Sequence, residues 1–135
     1  MVMKILFVCA HNRFRSKVAE ALFLKLNKSK KVEVKGAGVA LDVLNQYIAP
    51  NVLEVLREKG INKIDEQSHP ITDEGVEWAD KIIVVADNIQ HELLPEEKTE
   101  YWKISDCAQD DLEGIRERVE QIEVKVKELI KKLNL

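Results

Sequence analysis

The sequence predicts a three-layer α/β domain in which helices cover both faces of a parallel sheet. Three observations carry that prediction. Residues 4–8 and 82–86 are short, continuous apolar runs, the mark of strands buried on both faces. Helical patterns separate the strand patterns, and strands alternating with helices imply right-handed crossovers into a parallel sheet. The segment VCAHNRFRS at residues 8–16 then joins the first strand to the first helix, with five residues between Cys9 and Arg15.

Taken in order, residues 4–8 are the first strand. From Arg15 to about residue 28, Val18, Ala21, Leu22 and Leu26 recur at helical spacing. Residues 32–34 alternate with charge as a second strand, with Gly36-Ala37-Gly38 as its turn. Pro50 opens a helix through Lys59, and Gly60 stops it. Thr72, followed by Asp73 and Glu74, N-caps a short helix to Ala79. Residues 82–86 are the third strand, 88–94 a short helix or turn, and 101–104 a fourth strand. Leu112, Ile115, Val119, Ile122, Val126, Leu129 and Leu133 mark one face of a long C-terminal helix.

With 135 residues, 45% of them hydrophobic, the chain is expected to be one domain over residues 1–135. A net charge of −3 and a pI near 5.7 argue against nucleic acid or an anionic membrane as partner. No apolar run approaches the ~20 residues of a membrane span, and no signal peptide is recognisable. Two cysteines then fit a reducing cytosol, so the expected location is cytoplasmic.

A thiol at a strand's end, a tight loop of amides and a helix N-terminus make an oxyanion trap with a nucleophile at its floor. The amides of Ala10, His11, Asn12, Arg13, Phe14 and Arg15 are the candidate phosphate-binding set, and the planar Arg15 guanidinium can hold two oxygens. The same field favours the thiolate at Cys9. Ser16 is placed to donate its hydroxyl to that thiolate. This is phosphatase-type or arsenate-type chemistry.

A thiolate attacking a phosphoryl group needs a proton donor for the departing alkoxide. The fourth strand is read as ending in Ser105-Asp106, at the same sheet edge as Cys9, which makes Asp106 the leading general acid. Asp110 and Asp111 compete, although acids ahead of Leu112 also suit a helix N-terminus. Cys107 is either a small apolar filler or a redox partner able to form a disulfide with Cys9. His69 and His91 lack partners at metal-ligand spacing, so no metal and no cofactor is expected. Trp78 and Trp102 read as core.

These segments resemble the low-molecular-weight protein tyrosine phosphatase superfamily, which includes thioredoxin-linked arsenate reductases. The resemblance rests on CAHNRFRSKVAE, GAG, PNVLEVLREKGI, ADKIIVV and YWKISD, and spans nearly the whole chain. It implies a four-stranded parallel sheet, a cysteinyl-phosphate intermediate, no metal and a late-loop aspartate acid. By position those roles fall on Cys9, Arg15 and Asp106, and Asn12 matches the asparagine that holds the loop's shape.

Several positions depart from the family pattern. The reductase relay cysteines would fall near Ala86 and Leu94. The Asp-Pro-aromatic acid loop reads Asp106-Cys107-Ala108, and the aromatic wall reads Leu41-Asp42. Gly36 replaces the serine that supports the loop asparagine, and Arg13 replaces an apolar residue. The leading expectation is a cytosolic phosphomonoesterase acting on phosphotyrosine protein or a small aryl phosphate. The alternative is an arsenate reductase that draws on an external thiol or Cys107. A non-catalytic oxyanion-binding module is the third reading.

Overall fold

The computed structural model describes residues 2–133. Four strands, β1 (Met3–Cys9), β2 (Val32–Gly38), β3 (Lys81–Val85) and β4 (Thr99–Trp102), form one sheet in the order β2-β1-β3-β4. Every neighbouring pair is parallel, so the carboxyl ends of all four strands share one edge. The predicted α/β fold is the one the chain adopts.

Side chains alternate across the sheet as its pleat requires. Ile5 and Phe7 of β1 join a core with residues of α1 (Arg15–Leu26), α2 (Pro50–Glu58) and α4 (Leu112–Lys132). Leu6 and Val8 face the other way, with Ile82 and Val84. That second face is thinly covered. Its helix, α3 (Asp73–Trp78), has no buried residue, and Ala86, Ile89 and Leu94 close the layer from irregular chain. Trp102 is core, as expected, whereas Trp78 is half-buried with the Lys35 ammonium 4.4 Å from its ring centre.

Two strand boundaries depart from the sequence reading, and both shape the functional edge. Gly36-Ala37-Gly38 is not a turn but the end of β2, paired with Phe7, Val8 and Cys9. Glycine is needed there for close approach. A Cβ on Gly38 would lie 2.8 Å from the His11 carbonyl carbon and 2.9 Å from both Ala10 O and Asn12 N. Strand β4 begins and ends two residues earlier than expected, because Thr99–Trp102 is the stretch in register with β3. Beyond it the Ile104 N–H folds back onto Trp102 O at 2.7 Å, so Asp106 sits on a loop rather than at a strand's end.

The helix signals hold. Thr72 Oγ1 accepts the Gly75 N–H and caps α3. Gly60 follows α2 at φ +81°, a left-handed geometry that glycine adopts without steric cost. Asp111 caps α4 by accepting the Gly114 N–H at 2.9 Å. No helix among the described residues is long and apolar enough to cross a membrane.

Candidate active site

The loop between β1 and α1 leaves its donors unused. Among the described residues, no hydrogen bond within the protein takes the N–H of Ala10, His11, Asn12, Arg13 or Phe14. Helix α1 likewise has no side-chain cap, so its N-terminal amides add to the same set. Asn12 gives the loop its shape by adopting φ +54°, which asparagine tolerates better than most residues. That conformation is held from several sides. Asn12 Nδ2 donates to Ser16 Oγ at 2.6 Å, its Oδ1 accepts the His69 N–H at 2.9 Å, and its carbonyl accepts Ser68 Oγ at 3.0 Å. Ser16, Ser68 and His69 thus support the asparagine where Gly36 carries no side chain.

Cys9 is buried at the loop's floor, with Sγ 3.0 Å from Ser16 Oγ. Ser16 Oγ accepts from Asn12, and its own hydrogen is available to the sulfur whenever Cys9 is a thiolate, which can only accept. Arg15 is only 2% exposed and is aimed by the loops after β3 and β4. Its Nη1 donates to Ile104 O at 2.9 Å and its Nη2 to Asn88 Oδ1 at 3.4 Å. Asp87 Oδ1 and Asp106 Oδ2 lie 3.7 and 3.8 Å from the same guanidinium.

Cys9, His11, Arg13, Phe14, Arg15, Asp106 and Cys107 line one cavity of about 260 Å³, together with Asp42. Ala10 and Asn12 lie behind it. The Ala10 carbonyl accepts the Ala40 N–H, and Asn12 is fully buried. Asp110 and Asp111 do not line the cavity, and Asp111 is committed to its cap. Asp106 is half-exposed, with Oδ1 accepting the Cys107 N–H at 2.9 Å. Arg13 is pinned through Nε to Tyr47 O at 2.8 Å. Both cysteines are free thiols, and burial pushes the Cys107 thiol above its ordinary range. A larger cavity, about 580 Å³ between β2 and α3, is lined by no cysteine and no arginine; chemistry rather than volume marks the site.

Several supporting residues escape a reading of the sequence. Asp87 and Asn88 had a usable signal, since they follow a buried strand at the edge where Cys9 lies. Ser68 and His69 come from an irregular segment with no periodicity to place it. Lys17 is buried on α1, its ammonium donating to Asp65 O at 2.7 Å and Gln67 O at 2.6 Å and so tying that segment behind the loop. Burial pulls its pKa below the ordinary lysine value, partly offset by the Asp65 and Glu20 charges. His69, expected at the surface, has an exposed ring paired with Asp65, while its main chain does the supporting work.

Comparison with known proteins assigns the chain to a family. A glutaredoxin arsenate reductase of Synechocystis is 28% identical over 97% of this chain and 98% of its own. A protein-arginine-phosphatase of Bacillus subtilis is 39% identical over 68% of the chain; the match spans 60% of that relative. Among solved structures, an arginine phosphatase from Geobacillus stearothermophilus matches with a TM-score of 0.84 at 28% identity, covering 98% of this chain and 93% of that one. An arsenate reductase from Archaeoglobus fulgidus gives 0.75 at 32% identity, covering 94% and 98%. The family model described as low molecular weight phosphotyrosine protein phosphatase matches residues 4–135. The chain belongs to the low molecular weight phosphotyrosine protein phosphatase family.

Proposed function

We propose that the protein is a phosphomonoesterase that carries the phosphoryl group on Cys9. The supporting observation is the run of unpaired amides at residues 10–14, which links Cys9 to Arg15 and whose His11, Arg13 and Phe14 line one cavity with the Cys9 thiol and the Arg15 guanidinium. Cys9 Sγ attacks phosphorus while the amides and Arg15 hold the equatorial oxygens, whose charge grows in the transition state. Asp106 gives its proton to the departing oxygen. In the second step Asp106 takes a proton from water, the water oxygen bonds to phosphorus, and the P–S bond breaks. Ser16 donates to the sulfur in both steps. A phosphorylated protein is the favoured substrate class, and phosphotyrosine or an aryl phosphate its simplest form. Leu41 and Asp42 stand where a ring would sandwich a phenyl group, so ring stacking adds little to affinity.

A second reading, arsenate reduction, is favoured by Cys107 lining the same cavity as Cys9. There the Cys9–As bond is broken by a second thiol attacking Cys9 sulfur. Arsenite leaves, the two thiols are oxidised to a disulfide, and an external thiol reduces it. Ala86 and Leu94, at the relay positions, are buried apolar residues, so the second thiol is Cys107 or comes from outside. One preparation separates the readings when assayed for release of p-nitrophenol from its phosphate and for arsenate-dependent thiol consumption. Ester turnover lost in Cys9→Ser is expected. Thiol consumption without ester turnover, reduced in Cys107→Ala, would replace the first reading by the second.

A further inference from the structure

Residues 103–110, which carry Asp106, contain no helix or strand, so something outside the segment must set where the carboxyl points. The family pattern has proline after this aspartate, which would fix φ locally. Here Cys107 follows instead, and its N–H, which proline would lack, donates to Asp106 Oδ1.

The main chain of the same turn hangs from Arg118 on α4. Arg118 Nε donates to Ser105 O at 3.3 Å, and Nη2 to Ser105 Oγ at 3.1 Å and Asp106 O at 3.2 Å. Nη1 is anchored on Gly114 O at 3.3 Å, within its own helix. Each bond is long, but a rigid guanidinium fork meeting two adjacent residues fixes orientation as well as distance. Arg118 is 19% exposed and is not itself one of the residues lining the cavity; it meets that lining through the Asp106 main chain.

We infer that Arg118 is a positioning residue for proton transfer, holding Ser105 and Asp106 so that the carboxyl faces the leaving group above Cys9. The inference rests on Asp106 acting as the acid, and it explains how a loop without proline keeps that acid aligned. Misplacement of a catalytic group by about 1 Å can cost on the order of 10²-fold. The loss must appear where protonation matters. Phenyl phosphate needs a proton on its leaving oxygen, whereas p-nitrophenolate departs largely without one.

The test compares kcat/KM on these two esters for wild type, Arg118→Met, Arg118→Lys, Asp106→Asn and the Arg118→Met/Asp106→Asn double variant. Arg118→Met is expected to lose roughly 10- to 30-fold on phenyl phosphate and no more than about threefold on p-nitrophenyl phosphate. Arg118→Lys should regain part of that loss. In the Asp106→Asn background, Arg118→Met should cost nothing further. Equal losses on both esters, or a full additional loss in the double variant, would overturn the inference and leave the phosphatase reading standing. Wild type inert towards both esters would remove the phosphatase reading, and this inference with it. If circular dichroism finds Arg118→Met unfolded, the ester ratio of Arg118→Lys decides: a selective loss on phenyl phosphate supports the inference and an unchanged ratio rejects it.

Discussion

Two loops run into helices at the same edge of the sheet, and their helix N-termini are treated in opposite ways. After β4, Asp111 caps α4 with its own carboxylate, so the Gly114 N–H is served within the protein. After β1, helix α1 has no such cap, and the amides ahead of it have no partner within the described residues, as the proposed oxyanion site requires. The β1 loop is buried from Asn12 onward, contains the one left-handed non-glycine residue among those described, and is braced by Ser16, Ser68 and His69. The β4 loop has ordinary backbone, a half-exposed acid and anchors from outside itself, Arg118 and the Asn51 amide, which donates to Gln109 O. A receptor for a fixed tetrahedral anion must be built before the ligand arrives, because reorganising dipoles during reaction is costly. A proton donor has to meet varied leaving groups and water, so tethering serves it better than burial.

This contrast is broken or sharpened by substitutions ranked by expected effect. Arg15→Lys removes the planar fork from the braced loop and should lower kcat/KM on any phosphate ester by about 10²- to 10³-fold, whatever the leaving group. Asp106→Asn should cost about 10²- to 10³-fold on phenyl phosphate and far less on p-nitrophenyl phosphate, as removal of an acid alone requires. A matching dependence on leaving group in both variants would erase the distinction between the loops.

Gly38→Ala tests whether the braced loop tolerates displacement. Its Cβ would meet backbone atoms rather than a flexible side chain, so chemical denaturation should report a loss of about 1–3 kcal/mol. Inorganic phosphate should also inhibit the variant more weakly. Asp111→Ala should cost about 1 kcal/mol by loss of the cap, with p-nitrophenyl phosphate turnover within about twofold of wild type. The last effect is chemical. Burial raises the Cys107 pKa, so less thiolate is present at neutral pH than for a free cysteine. In Cys9→Ser, iodoacetamide should therefore modify Cys107 more slowly than it modifies a free-cysteine peptide at pH 7, and the gap should close as pH rises.

The fold was legible because the buried stretches at 5–8 and 82–86 are unbroken apolar runs and the capping residues Thr72 and Gly60 act locally. The floor of the site was legible for the same reason, since the residues from Cys9 to Ser16 are contiguous. What brings Ser68, His69 and Arg118 to the site is long-range packing, and a polar position on an amphipathic helix such as Arg118 reads as solvent-facing. Gly36-Ala37-Gly38 reads locally as a turn, because two glycines signal turning, yet it is the end of β2. Only the neighbouring loop reveals that Gly38 is there to let the backbone pass.

The central claim is that Cys9 receives the phosphoryl group in a preformed anion receptor. It is tested most directly by rapid quenching of Asp106→Asn with p-nitrophenyl phosphate, followed by peptide mass spectrometry. A burst of p-nitrophenol and a phosphoryl group on the peptide containing Cys9 are expected, both absent in the Cys9→Ser/Asp106→Asn variant. Steady release of p-nitrophenol with Cys9 unmodified at every quench time, unaffected by replacing Cys9, would contradict it.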